Sequence, residues 1–461
     1  MSKRIAILGA GESGTGAALL AQYKGFDVFV SDLGNIRQPY RDTLSQAGIR
    51  FEEGCHSTDE IMNAVEIIKS PGIPENVPVI LEARSKGIKV ISEIEFAARY
   101  TDAKFVAITG SNGKTTTTLL THHLLKKAGY KVGLAGNVGE SLARQVIDDK
   151  VDYYVLELSS FQLDGVYEFK ADVAVVLNIT PDHLDRYDND FSKYVDAKFR
   201  ITQNQTPDDY LITFSDDQTV RKQIQKREIK AFNLNISLDS KLLNGGYLSG
   251  DQLMVNVNNH ITQVFNIDSN ILPLSGKHNM VNTMAAILAA LACGVEEPAI
   301  KKALSSFKNA PHRLEDVGVV KGVRYVNDSK ATNIDSVKYA LDSFDHPIVW
   351  IAGGVDKGND YSQIDELVYE RVKALICLGK DNSKLLKAFG DQLPMVLESE
   401  DMNEAVKLAN EIAHYGDVVL LSPACASFDL FKNYEERGDH FRNAIKSLEK
   451  SQRKLNMISF L

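Results

Sequence analysis

Short apolar runs alternate along this chain with longer segments of helical spacing. The alternation predicts strands and helices assembled as mostly parallel sheets with helices on their faces. In the first hundred residues, strands are expected at Arg4–Leu8, 27–31, 66–69 and 89–91. A helix runs from the glycine turn after the first strand through Lys24, and Gly25 ends it. Farther on, the runs at 153–158 and 173–179 are almost continuously apolar, as strands buried on both faces should be. The segment 115–127 places Leu119, Leu120, Leu124 and Leu125 on one helix face, with Gly129 past its end. Further helices are expected at 191–202 and 282–292. The stretch 233–268 breaks the pattern. It is polar and Asn-rich, with a Leu-Ser-Gly-Asp-Gln turn between strand-like segments, and reads as a β-hairpin insertion. Alternation then resumes, with strands at 324–327, 348–352, 374–378 and 418–422 and helices at 335–343, 402–414 and 428–446.

A chain of 461 residues is too long for one ordinary core. The pattern divides it into three α/β domains: a Rossmann-like N-terminal domain (1–102), a central phosphate-loop domain with a parallel sheet plus the hairpin (103–309), and a Rossmann-like C-terminal domain (310–461). A net charge of -9 without a run of Lys or Arg weighs against nucleic-acid or anionic-membrane partners. The opening MSKRIAILGAG has only a four-residue apolar run before glycine, so it reads as a first strand rather than a signal peptide. No apolar stretch approaches the roughly 18 residues that would insert into a bilayer. The four cysteines lie far apart with no CxxC pair, which suits a reducing cytoplasm and offers no zinc site.

The densest chemistry lies at 105–118, FVAITGSNGKTTTT: an apolar strand, a glycine loop and a helix start. Backbone N–H groups at a helix start face phosphates. Gly110, Ser111, Asn112, Gly113, Lys114, Thr115, Thr116 and Thr117 are therefore expected to grip ATP. Lys114 would reach the β/γ-phosphates, and the Thr115 hydroxyl would hold Mg²⁺. The loop is shorter than the common GxxxxGK[ST] form, since Ile108 stands where its first glycine would be. A second turn, Gly9-Ala10-Gly11-Glu12-Ser13-Gly14, is a full GxGxxG with Asp32 ending the next strand. This pattern fits NAD, another diphosphate such as a UDP-sugar, or a tight turn without ligand.

Glu157 ends an apolar strand in LELSS and could share Mg²⁺ with the loop, or simply cap the strand. His183, in NITPDH, falls at the same carboxyl-end edge and reads equally as a metal or substrate contact and as a solvated loop residue. From spacing alone Lys198 is a surface lysine. In the last block DSKATN, GGVDK and SPACASF each follow a strand. Each alone is compatible with an ordinary loop, but three on one edge suit a pocket for a small anionic amino acid.

In order along the chain, GSNGKTT, AGNVG, LELSSFQL, NITPDHLDRY, the Lys198 helix, GKHNMVNTMAA, PHRLE, NDSKATN, GG-x-DKG and LLSPACASFDLFKNYEERG resemble the Mur ligases, which build the peptide stem of bacterial cell wall. The resemblance covers essentially the whole chain and is strongest to the D-glutamate-adding members. It implies UDP-binding, ATPase and amino-acid-binding domains, with ATP and two Mg²⁺ ions. It also implies a cytoplasmic monomer acting on UDP-N-acetylmuramoyl-L-alanine and D-glutamate through an acyl phosphate. Ser13, Asp32, Gly72, Asn137 and His183 match residues around the UDP substrate. Asn282, Arg313 and Asp328 match the ATP side. Thr115, Glu157 and His183 match metal ligands, and Lys198 matches a lysine carbamylated in this family. Lys114, Glu157, His183 and Lys198 are then the catalytic set. Thr332, Lys357, Ser427, Phe428 and Tyr434 match the D-glutamate pocket. At Glu12 relatives commonly carry an apolar residue, and a carboxylate there must point away from a diphosphate. Gly34 stands where some relatives place a basic residue.

An NAD oxidoreductase would leave the Lys114 loop idle. A regulatory NTPase would leave the third domain without a purpose. A diaminopimelate-adding ligase would carry an Asp-Asn-Pro-Arg loop, which is absent from the sequence. A folate polyglutamate ligase would not need the first-domain GxGxxG.

Overall fold

The computed structural model describes residues 3–257, 263–266 and 276–458. The first two of its three sheets begin at strands that the apolar runs predict, while the third opens with a strand at Glu315–Val320 that they do not. The first is wholly parallel, in the order β3 (Arg50–Glu53), β2 (Asp27–Asp32), β1 (Arg4–Leu8), β4 (Glu66–Lys69), β5 (Lys89–Ile91). Ile5, Ile7, Val28, Val30 and Ile68 pack under its helices.

The second sheet contains β6 (Lys104–Thr109), β7 (Val132–Gly136), β8 (Tyr153–Glu157), β9 (Val173–Val176), β10 (Tyr210–Phe214), β11 (Phe232–Ser237), β12 (Gly245–Ser249), β13 (Gln252–Asn256) and β14 (Gln263–Asn266). In space they run β14-β13-β12-β11-β10-β9-β6-β8-β7. The phosphate-loop strand β6 thus lies between β8 and β9, all parallel. The expected hairpin is present as β12–β13, paired antiparallel around Gly250. It is no separate appendage: β11 pairs parallel with β10 and β12 parallel with β11, so the segment extends the central sheet. Part of the segment read as 233–268 lies outside the described residues.

The third sheet comprises β15 (Glu315–Val320), β16 (Val323–Asn327), β17 (Ile348–Ala352), β18 (Val372–Leu378), β19 (Val396–Ser399) and β20 (Val418–Leu421), in the order β15-β16-β20-β17-β18-β19. Only β15 is antiparallel. By contact density the chain forms two compact units. One holds the first two sheets (1–273 and 280–307) and the other holds the third (274–279 and 308–461).

The strands absent from the apolar pattern have local explanations. Arg50–Glu53 and Val396–Ser399 are short edge strands with charged residues, and Val132–Gly136 is glycine-bearing. The strand at Tyr210–Phe214, YLITF, does carry the signal. The last helix begins at Tyr434, not 428. Asn433 accepts the N–H of Glu436 at 2.7 Å and so caps it, leaving 428–433 as a loop.

Candidate active site

The loop after β6 is built by its glycines and by the strand beside it. Gly110 and Gly113 have φ of 151° and 84°, where side chains are disfavoured. A Cβ on Gly113 would stand 2.3 Å from the Asn282 side-chain oxygen. Ser111 N–H donates to the Asn178 carbonyl at 2.7 Å, and Asn112 N–H to Asn178 Oδ1 at 2.8 Å. The loop therefore takes its shape from the segment after β9. Helix Lys114–Lys127 follows directly, with Thr115, Thr116 and Thr117 buried in its first turn. Thr117 Oγ1 donates to Asn282 Oδ1 at 3.3 Å, so two of the residues expected on the ATP side meet here.

Lys114 Nζ folds back to donate to the carbonyls of Gly110 and Ser111, both at 2.8 Å. Lys198 Nζ donates to the same Gly110 carbonyl at 2.8 Å. Lys198 is not the surface lysine that spacing suggests. It is 2% exposed on helix Phe191–Phe199, with its amine 4.6 Å from the centre of the Tyr194 ring. Burial, then the nearby Lys114 charge, pushes its pKa well below the usual lysine range.

Glu157 ends β8 and is buried. Its Oε1 accepts from Asn137 Nδ2 at 2.9 Å, and its backbone carbonyl accepts Asn137 N–H at 2.8 Å. Its Oε2 is buried without a hydrogen-bond partner. A dry, unpartnered carboxylate oxygen is costly alone and is the donor a hard cation takes. With the buried Thr115 hydroxyl at the loop, this donor chemistry fits Mg²⁺. Among the described residues no three His, Cys, Asp or Glu side chains converge as a ready-made metal cluster. Further oxygen donors would be needed to complete a coordination shell.

His183 is held at φ 52°, its ring against Phe161 at 5.2 Å between centroids. The Arg186 guanidinium lies over the same Phe161 ring, 4.4 Å from its centre. It donates to the carbonyls of Gly72 (3.2 Å) and Pro71 (3.3 Å), which ties the His183 segment to the loop after β4. Asp32 accepts the N–H of Ala10 at 2.7 Å and of Gly34 at 2.8 Å, bracing the GxGxxG turn. Ser13 lies in the first turn of helix Glu12–Tyr23.

In the other unit, the loops after β16, β17 and β20 stand side by side because those strands are neighbours. Val355 N–H bonds the Ala426 carbonyl at 2.7 Å, and Ala424 N–H the Ala331 carbonyl at 3.0 Å. Arg437 unites all three. Its guanidinium, 1% exposed, donates to the carbonyls of Ser329 (2.8 Å), Gly353 (3.3 Å) and Cys425 (3.1 Å) and to Ser329 Oγ (3.0 Å). Burial lowers its pKa to about 10. Nothing in its sequence setting, a polar helix start, marks Arg437 out. Asp328 is buried too. Its oxygens accept Leu314 N–H and Ser422 O–H, both at 3.1 Å, and burial raises its pKa to about 7 against the pull of Arg313. Of the five residues expected at an amino-acid pocket, Thr332, Lys357 and Ser427 sit in these loops. Phe428 is 72% exposed, and the Tyr434 ring lies 4.9 Å from Lys330 Nζ.

A glycine loop opening a helix after a buried strand, a buried carboxylate on the neighbouring strand and a GxGxxG turn are the features of an ATP-handling α/β protein. Family models match along the chain: the Mur ligase MurD-like N-terminal domain at 3–92, the Mur ligase middle domain at 108–290, and the Mur ligase glutamate ligase domain at 312–425. The UDP-N-acetylmuramoylalanine–D-glutamate ligase of Cytophaga hutchinsonii is 55% identical, covering 97% of this chain and 100% of the relative. Its namesake from Porphyromonas gingivalis is 53% identical over 96% and 98%. Among solved structures, a pseudomurein peptide ligase from Methanothermus fervidus matches with TM-score 0.62 at 20% identity, covering 97% of this chain and 100% of that one. The MurF ligase of Thermotoga maritima in complex with ADP matches with TM-score 0.60 at 18% identity, over 98% and 99%. These two share the fold. The chain belongs to the Mur ligase family.

Proposed function

We propose that this protein joins D-glutamate to UDP-N-acetylmuramoyl-L-alanine, forming an amide and converting ATP to ADP and phosphate, in peptidoglycan precursor synthesis. The observation that carries this reading is the 50–55% identity, over nearly the whole chain, to relatives named for that reaction. The geometry supports its chemistry. A free carboxylate is a poor electrophile. Attack of the L-alanine carboxylate on the γ-phosphorus, with ADP leaving, gives an acyl phosphate. The D-glutamate nitrogen then adds to the acyl carbon, and phosphate departs as the amide forms.

The loop amides and Lys114 bind and orient the triphosphate and neutralise charge on it. Thr115, Glu157, His183 and a carbamylated Lys198 would hold Mg²⁺, which supplies further charge neutralisation when bound. Lys198 has the environment carbamylation needs. Burial and the Lys114 charge shift Lys198 toward the neutral amine, whose lone pair attacks CO₂; a proton leaves to solvent, and the product is a carbamate anion beside Lys114. Asn137 orients Glu157 through its amide. The turn at Gly9–Gly14, with Ser13, Asp32 and Gly72, would hold the UDP moiety, and Thr332, Lys357, Ser427, Phe428 and Tyr434 would hold D-glutamate. Asn282, Arg313 and Asp328 would serve the ATP side.

No described helix is long and apolar enough to cross a membrane. We place the enzyme in the cytoplasm, where ATP and nucleotide-activated precursors occur, acting as a monomer. Phosphate release measured with UDP-N-acetylmuramoyl-L-alanine and a panel of amino acids tests the reading. Release that depends on D-glutamate is expected. Release that is indifferent to the amino acid would remove the ligase assignment, and preference for L-alanine or diaminopimelate would move it within the family.

A further inference from the structure

Glu12 sits inside the GxGxxG turn, where a carboxylate would repel a diphosphate if it faced one. It does not project freely there. Its Oε1 accepts the backbone N–H of Ser141 at 3.1 Å. Ser141 begins helix Leu142–Val146, at the end of the segment after β7 that carries Asn137. The same serine is held from a second direction. Its Oγ donates to Glu93 at 2.7 Å, and that carboxylate also accepts Ala143 N–H at 2.6 Å. The backbones approach closely here: a Cβ on Gly16, one turn past Glu12, would lie 2.0 Å from Ser141 Oγ. Asn137 in turn is bonded through its backbone and side chain to Glu157.

We propose that Glu12 is a positioning residue for the nucleotide-sugar: by accepting Ser141 N–H it locks the Gly9–Gly14 turn to the Asn137–Ser141 segment, so that both meet the substrate as one preorganised surface. This rests on the proposed function, which assigns the turn to the UDP moiety. The carboxylate that would repel the diphosphate is turned to account as the tether. Its hydrogen bond directs the charge at a backbone amide instead of at the ligand.

The account is tested by calorimetric binding of UDP-N-acetylmuramoyl-L-alanine to the wild type, Glu12→Ala and Glu12→Gln, together with the KM of each for ATP. Glutamine keeps an acceptor oxygen and loses the charge. Expected are a Kd about tenfold weaker for Glu12→Ala, the scale of one lost charge-assisted hydrogen bond, and recovery to within about threefold of wild type in Glu12→Gln. The KM for ATP should stay within about twofold, which a general folding defect would not allow. Unchanged affinity in Glu12→Ala would overturn the proposal. So would tighter binding by both variants, because repulsion rather than tethering would then govern. Equal weakening in both variants would also overturn it. Failure of the wild type to bind this substrate would instead overturn the functional reading, and the tether with it.

Discussion

Lys198 shows how much one side chain's surroundings decide. A protonated amine, almost fully buried and close to a second lysine, is strongly disfavoured, even though it donates to the Gly110 carbonyl. Conversion to a carbamate would place an anion beside the Lys114 cation, an attracting pair. Lys198→Ala should lower kcat by ~10²-fold or more, the scale of losing one preorganised charge-stabilising group. Short carboxylic acids should restore part of it by occupying the vacated space. Lys198→Arg, which cannot be carbamylated, should stay inactive; steady-state rates with and without added acetate decide this. Glu157→Gln gives a complementary test. Glutamine still accepts from Asn137, so the melting temperature should hold while the Mg²⁺ concentration for half-maximal rate rises. An unchanged Mg²⁺ requirement would detach Glu157 from the metal. At this scale the sequence was legible in placement: Lys114 opens a helix after a strand and Glu157 ends a strand, as their flanking residues suggest. It was silent at Lys198, whose helix spacing says nothing of which neighbour covers it. It was also silent at Arg437, whose role comes from three loops distant in sequence.

Among the elements, strands buried on both faces were readable because their apolar runs are continuous, and the loops after them followed. Edge strands with polar residues were not, since their placement comes from pairing rather than from composition. The phosphate loop depends on a conformation as well as on residue types. Gly113→Ala would strain a left-handed residue and push against Asn282, so both the ATP KM and the melting temperature should worsen. The helix Glu93–Ala98 docks through two acids. Glu95 accepts the backbone N–H groups of Tyr167, Glu168 and Phe169 at 2.9–3.1 Å, while Glu93 takes Ser141 and Ala143. Burial raises the Glu93 pKa from 4.5 to about 7, with nearby Glu12 adding to the rise. An acid with a raised folded-state pKa binds more protons folded than unfolded between those values, so its contribution to stability falls as pH rises from 4.5 to 7. Glu93→Gln mimics the protonated form and keeps the Oε1 acceptor. It should match wild type near pH 5 and melt about 2 °C higher, or more, at pH 8. A difference that is the same at both pH values would exclude Glu93 as the source of the slope.

At the level of the molecule, three parallel-rich sheets are distributed between two compact units. One unit holds the GxGxxG turn, the phosphate loop, Glu157 and Lys198. The other holds Arg313, Asp328 and the three loops joined by Arg437. The alternation of strands and helices foretold the parallel-rich sheets, while the first turn alone left NAD and a UDP-sugar open. An enzyme so equipped uses ATP to activate a carboxylate rather than to signal. Mass spectrometry of the nucleotide product tests that claim most directly. With ATP, Mg²⁺, UDP-N-acetylmuramoyl-L-alanine and D-glutamate, the nucleotide should gain the mass of one glutamate less one water, with one ADP formed per product. L-Glutamate, L-alanine or diaminopimelate in its place should give no such product. ADP formation without any mass gain on the nucleotide, or a gain equal with every amino acid, would contradict the account.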